Sequence, residues 1–153
     1  MSKYVIDTQL LVRASRSEED ADRYRSFVTT YSPSIYLCSV VAQELLAGSR
    51  LHENREMLRR YIEPFERRRR TVAPTHWEWR RAGTVLNGLR KQGYTITSAF
   101  TNDVLIACTA NQIGAEVIHD NFRDYHAIQQ LVRFRHRTGY PTREAPPRPP
   151  APE

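Results

Sequence analysis

Lysine is almost missing from these 153 residues: of 23 basic side chains only Lys3 and Lys91 are lysine, which leaves 21 arginines. Cysteine is equally scarce. Cys38 and Cys108 each sit in an apolar run, Leu37-Cys38-Ser39-Val40 and Ile106-Ala107-Cys108-Thr109, with no second cysteine or histidine at ligand spacing. Buried thiols are therefore expected rather than a disulfide or a metal site. No apolar stretch approaches the roughly 20 residues that cross a bilayer. Met1-Ser2-Lys3 runs directly into a strand-like segment rather than a secretory hydrophobic region, so a cytoplasmic protein with no membrane partner is expected. The chain carries no internal repeat.

What remains is enough for one domain with a core of its own, since 40% of the residues are hydrophobic. The net charge is +6. Guanidinium groups fork onto phosphate oxygens and stack on bases, so the arginine excess favours a polyanionic partner such as nucleic acid, although biased genomic base composition gives the same excess.

Along the chain, Tyr4-Val5-Ile6 reads as a buried strand that enters a helix at Asp7-Thr8. Ser17 followed by Glu18-Glu19-Asp20 marks a helix start, which Pro33 ends. Ile35 to Ser39 is a second strand and Val40 to Gly48 a helix stopped by glycine. Leu51 to Arg70 is a charged helical stretch that Pro64 bends or shortens. Val72-Ala73 suggests a short strand, and Pro74-Thr75 opens another helix, in which Trp77 and Trp79 cannot share one face: one is expected in the core, the other partly exposed. Thr101-Asn102-Asp103 introduces the most apolar helix, Val104 to Ala110, ended by Gly114. Glu116-Val117-Ile118-His119 is a clear strand, and Tyr125 to Phe134 the last periodic segment. From Pro141 onward lie six of the nine prolines, so residues 139–153 are expected to form a disordered or polyproline-like tail behind a domain spanning 1–138. Strands alternating with helices imply an α/β fold with a short, mainly parallel sheet.

In such a sheet the working side chains gather beyond the carboxyl ends of the strands. Asp7 stands there after the first strand, Glu44 on the helix after the second, Asp103 on the buried helix, and His119, Asp120 and Asn121 after the later strand. Each has an ordinary alternative: a helix cap for Asp7 or Asp103, a solvated helical position for Glu44, a turn for Asp120 to Asp124. Together they are harder to explain so. At 4 Å and an effective dielectric near 20, each like-charged pair costs roughly 4 kcal/mol, so a fold keeps such a set only with protons or a cation to neutralise it. Oxygen ligands without cysteine suit Mg²⁺, with Mn²⁺ as the alternative, and such an ion can hold a scissile phosphate and activate water.

These segments resemble the PIN-domain ribonucleases, and among them the VapC-like toxins of bacterial toxin–antitoxin pairs. The resemblance is carried by Tyr4-Val5-Ile6-Asp7-Thr8, by Ser39-Val40-Val41-Ala42-Gln43-Glu44-Leu45 with Gly48, by Asn102-Asp103-Val104-Leu105-Ile106-Ala107 with Ala110, and by Val117 to Tyr125, in order over residues 3 to 135. It implies a three-layer α/β/α PIN-like domain, magnesium-dependent RNA cleavage, dimerisation, and inhibition by a cognate antitoxin. It also implies that Asp7 and Asp103 are the direct metal ligands and that Glu44 shapes the same pocket. The family's fourth position departs from pattern. His119 replaces the usual threonine, which places Asn121 in the ligand register and Tyr125 in the aromatic one, with Asp120 the close rival and Asp124 a third choice; His119 itself is read as structural.

The expected function is a Mg²⁺-dependent endoribonuclease acting as a toxin, a hydrolase of phosphodiester bonds with an RNA substrate, an antitoxin partner and a homodimeric state. One rival is a catalytically inactive PIN-like RNA- or protein-binding domain. A phosphoryl-accepting domain ranks lower, because Asp7 is the lone acid of its strand and no lysine follows any later strand.

Overall fold

The computed structural model of the protein describes residues 2–142. The expected tail, 139–153, lies outside the described residues from position 143 onward. Alternating strands and helices build a three-layer α/β/α domain around one five-stranded sheet of order β3-β2-β1-β4-β5, with every neighbouring pair parallel. The strands are β1 (Lys3–Ile6), β2 (Ile35–Cys38), β3 (Thr71–Val72), β4 (Ala115–His119) and β5 (Arg135–Thr138). Apart from Lys3, Glu116 and His119, the residues of β1, β2 and β4 are apolar or aromatic, and most are buried, as in strands covered on both faces. β5, with sequence Arg-His-Arg-Thr, had no apolar signal from which to predict it. It pairs with β4 through the backbone, and its arginines blunt the open edge.

The helices are α1 (Thr8–Arg16), α2 (Glu18–Tyr31), α3 (Ser39–Gly48), α4 (Asn54–Met57), α5 (Glu63–Arg67), α6 (His76–Lys91), α7 (Ser98–Ile113) and α8 (Phe122–Gln129). Their starts follow local chemistry. Ser17 Oγ accepts from the N–H of Asp20 to cap α2, and Thr75 with Glu78 forms a capping box on α6. The stretch expected as one charged helix is broken: a 3-10 turn (Leu51–Glu53), α4, a π-helical stretch (Leu58–Ile62) and α5 follow one another. Pro64 has no N–H to offer, and the N–H of Glu63 reaches back five residues to Leu58, which widens the coil just before it.

Three expectations are corrected. The N-cap of α7 is Thr97, not the Thr101-Asn102 pair: Thr97 Oγ1 accepts from Phe100 N–H at 3.1 Å, so Asp103 is the sixth helical residue rather than the first. Trp77 and Trp79 are both exposed, at 64% and 57%. The buried stripe of α6 is Ala82, Val85 and Leu89, and the tryptophans precede it in the first turn of the helix; Trp77 carries Arg80 over its ring at 5.3 Å. Tyr140, beyond the domain end expected at 138, packs its ring on Phe27 with centroids 4.9 Å apart. Cys38 and Cys108 are free and buried.

The Arg67–Arg70 run is partly structural. Arg70 Nε donates to the Pro33 carbonyl at 2.8 Å and its guanidinium lies over Tyr36, while Arg68 reaches Ser32. No helix among the described residues is long and apolar enough to cross a membrane.

Candidate active site

β1 is flanked by β2 on one side and β4 on the other, so the chain leaves it in opposite directions on its two sides. The carboxyl ends of β1 and β4 open the crevice where ligands of open parallel sheets bind. The N–H of Asp7 donates to Ile118 O at 2.8 Å, extending the β1–β4 ladder by one bond and fixing Asp7 at the mouth of that crevice.

Asp7 is the N-cap residue of α1, yet its side chain makes no capping bond. Its carboxylate instead turns into the crevice, 4% exposed, where Tyr125 Oη donates to Oδ1 at 3.0 Å. Glu44, the sixth residue of α3, accepts on Oε1 from Thr8 Oγ1 at 2.8 Å. Asp103, at the equivalent position in α7, enters from a third side. These three line a cleft of about 150 Å³ together with Asn121 and Asp124; Thr8, Gln9, Thr97, Ala99 and Phe100 complete its walls. Three of the carboxylates come from segments more than thirty residues apart in the chain.

The fourth position divides as the sequence did not. Asn121 caps α8, its Oδ1 accepting from Asp124 N–H at 3.4 Å while its Nδ2 donates to Asp124 Oδ2 at 2.8 Å. Both residues therefore face the cleft as one unit. Asp120 does not line it: the side chain points outward and pairs with Arg13. Successive residues at this strand end face opposite ways, so the aspartate one position earlier is turned to solvent.

Electrostatics match this crowding. Burial pushes the carboxyl of Asp103 up to about 8, and the neighbouring charges of Asp7, Glu44 and Asp124 add to the shift. Burial raises Asp7 to about 6, against the hydrogen bond from Tyr125 and with Glu44 contributing. Among the described residues, no basic side chain lines the cleft. Its donor set is oxygen-only and over-supplied with negative charge, which fits a hard divalent cation. Among the described residues, no three Asp, Glu, His or Cys side chains stand preassembled as a ligand shell. Tyr125, Thr8 and Asn121 each hold one oxygen of a carboxylate, of Asp7, Glu44 and Asp124 respectively.

His119 supports this arrangement from behind. It is fully buried, stacked on Tyr125 with ring centroids 4.5 Å apart, and its Nδ1 accepts from Asn121 N–H at 3.0 Å. That bond leaves the Nε2 proton to point at His136 Nδ1, 2.8 Å away on β5. Burial drives His119 down to about 4, so the ring is neutral and serves as a spacer that fixes Asn121 and Tyr125. From the sequence, Thr8 is no more than a member of the Tyr4–Thr8 motif, and His136, without metal-ligand spacing, has no role. Thr8 adjoins Asp7 and was a findable neighbour, whereas His136 sits on a strand without apolar pattern and offered no signal.

A family model for the PIN domain matches residues 4–128. Comparison with curated proteins finds no match. Among solved structures, the fold is similar to DNA-bound VapBC from Salmonella typhimurium (TM-score 0.69, 18% identity, 90% of this chain and 98% of that one). It is similar also to VapBC-1 from nontypeable Haemophilus influenzae (0.64, 24%, 88% and 96%) and to FitAcB from Neisseria gonorrhoeae (0.64, 17%, 87% and 95%). At these identities the neighbours speak for the fold, while the family match covers most of the sequence and takes in β1, α3, α7 and the end of β4, from which the cleft is built. The chain therefore belongs to the PIN domain family.

Proposed function

We propose that this protein is a Mg²⁺-dependent endoribonuclease and that it acts as the toxin of a toxin–antitoxin pair, with a small antitoxin as its partner and a homodimer as its working form. The observation that carries the nuclease reading is the cleft itself: Asp7, Glu44, Asp103 and Asp124 face one small space with no cationic side chain among them. The toxin reading is supported by the family match together with fold neighbours that are VapBC and FitAcB complexes.

Asp7 and Asp103 are the residues to hold the ion, with Asn121 and Asp124 completing the oxygen set. A bound divalent ion supplies positive charge to a scissile phosphate and makes water more acidic, Mn²⁺ serving in place of Mg²⁺. Tyr125 keeps Asp7 turned into the cleft, and Thr8 orients Glu44 so that its other oxygen is available to accept a proton from the attacking water. Arg123, exposed on the cavity beside the cleft, is the basic residue to meet a flanking phosphate.

Cleavage of single-stranded RNA by the purified full chain should require Mg²⁺ or Mn²⁺ and stop with EDTA. Asp7→Asn and Asp103→Asn should each lower the rate at least about a hundredfold while the fold is retained. Wild-type rates in either variant would refute the assignment. RNA binding without EDTA-sensitive cleavage would favour a binding module instead. Growth arrest on expression, relieved by co-expressing the product of a neighbouring short reading frame, tests the toxin role.

A further inference from the structure

A second and larger cavity, about 530 Å³, opens beside the acidic cleft and shares Thr97, Phe100 and Asp124 with it. Its remaining wall is the turn between α6 and α7, where Gly93 at φ +96° swings the chain around and Gln92, Tyr94 and Thr95 face the space. Arg123 also lines the cavity. It is exposed and takes part in none of the ion pairs formed among the described residues.

Resting on the nuclease reading above, we infer that this cavity is a nucleoside subsite that seats one base of single-stranded RNA next to the scissile phosphate. The acidic cleft is the smaller of the two spaces, and the carboxylates that line it are those assigned to the ion and the scissile phosphate. The neighbouring cavity lies in the size range of small-ligand sites, and the shared wall sets the two side by side. Tyr94 is half-buried and lies nearly parallel to Phe100 behind it, centroids 5.9 Å apart and planes 28° apart, which stiffens its ring as a stacking platform. Polar groups surround that ring. The Gln92 amide offers both a donor and an acceptor, the kind of pair that reads a base edge. Thr97 Oγ1, already accepting from Phe100 N–H, keeps its own proton to donate. The unpaired guanidinium of Arg123 suits the next phosphate of the strand. Specificity at the nucleotide beside the cut would thus lie in the 92–97 turn rather than in the carboxylates.

The test uses the full chain with single-stranded oligoribonucleotides carrying 4-thiouridine, irradiated in EDTA so that no cleavage is needed, with adducts located at residue level by mass spectrometry. Adducts on residues 92–97 or Arg123 are expected; adducts confined elsewhere overturn the subsite. In parallel, Gln92→Ala and Arg123→Ala, both exposed positions that leave the core intact, should raise KM for RNA about tenfold. Gln92→Ala should also relax the base preference beside the cut. Unchanged KM and cut sites in both variants likewise overturn it. Cleavage without these adducts would sink the subsite and spare the nuclease, whereas these adducts without cation-dependent cleavage would do the reverse.

Discussion

Burial and three neighbouring carboxylates oppose the ionisation of Asp103, and that opposition sets a measurable pH dependence. A carboxyl whose pKa is higher in the folded chain than in the unfolded one binds its proton more tightly when folded, so stability falls as pH rises from the unfolded to the folded value. For Asp103 that interval runs from 3.8 to about 8, and for Asp7 from 3.8 to about 6. His119 acts in the opposite sense: its folded value of about 4 lies below the ordinary 6.5, so stability rises with pH up to about 6.5. Above pH 6.5 the histidine is neutral in both states and Asp7 is largely ionised, which leaves Asp103. Cation-free protein should therefore lose about 1–2 kcal/mol, or a few degrees of Tm, between about pH 6.5 and 8. Added Mg²⁺ should restore more of it at the upper end, and Asp103→Asn should flatten both effects. Calorimetry in EDTA and in Mg²⁺ checks this; a Tm that climbs across the window would contradict it.

At the scale of elements, the cleft depends on helices and strands stopping where they do. α7 ends at Gly114, which takes the left-handed conformation at φ 69°, and β4 begins at the very next residue and runs to His119. Only one residue makes the reversal, and a side chain there is strained even though nothing crowds the added carbon. Gly114→Ala should cost about 1 kcal/mol, lowering Tm by about 2–4 °C, with RNA cleavage per folded molecule unchanged. Thermal melts and a cleavage assay below the transition measure both. A loss of activity without loss of stability would mean that the reversal positions the strand end more delicately than packing alone demands.

For the whole molecule the charge is divided: a net of +6 surrounds a small acidic cleft. Arginines that neutralise RNA phosphates release counterions, so apparent affinity should fall with salt. If about four phosphates are contacted, KM should rise roughly twentyfold between about 50 and 150 mM salt. A flat response would mean that the arginine excess reflects codon usage rather than a nucleic-acid partner. Some of the excess is already accounted for, since Arg68 and Arg70 tie the sheet edge to the Ser32-Pro33 turn and Arg137 pairs with the buried Glu116.

Apolar runs, caps and glycine stops were sufficient to make the α/β class, the strands β1, β2 and β4, and the positions of Asp7, Glu44 and Asp103 readable from the sequence, because burial and backbone preference act over a few neighbouring residues. The all-parallel five-stranded order, the edge strand β5, and the sixth-residue placement of Asp103 in α7 required the folded chain. So did the turning of Asp120 away toward Arg13, the pairing of Asn121 with Asp124, and the second cavity beside the cleft. Those features depend on which distant segments lie against one another, and side-chain direction at a strand end is decided by that packing rather than by residue type.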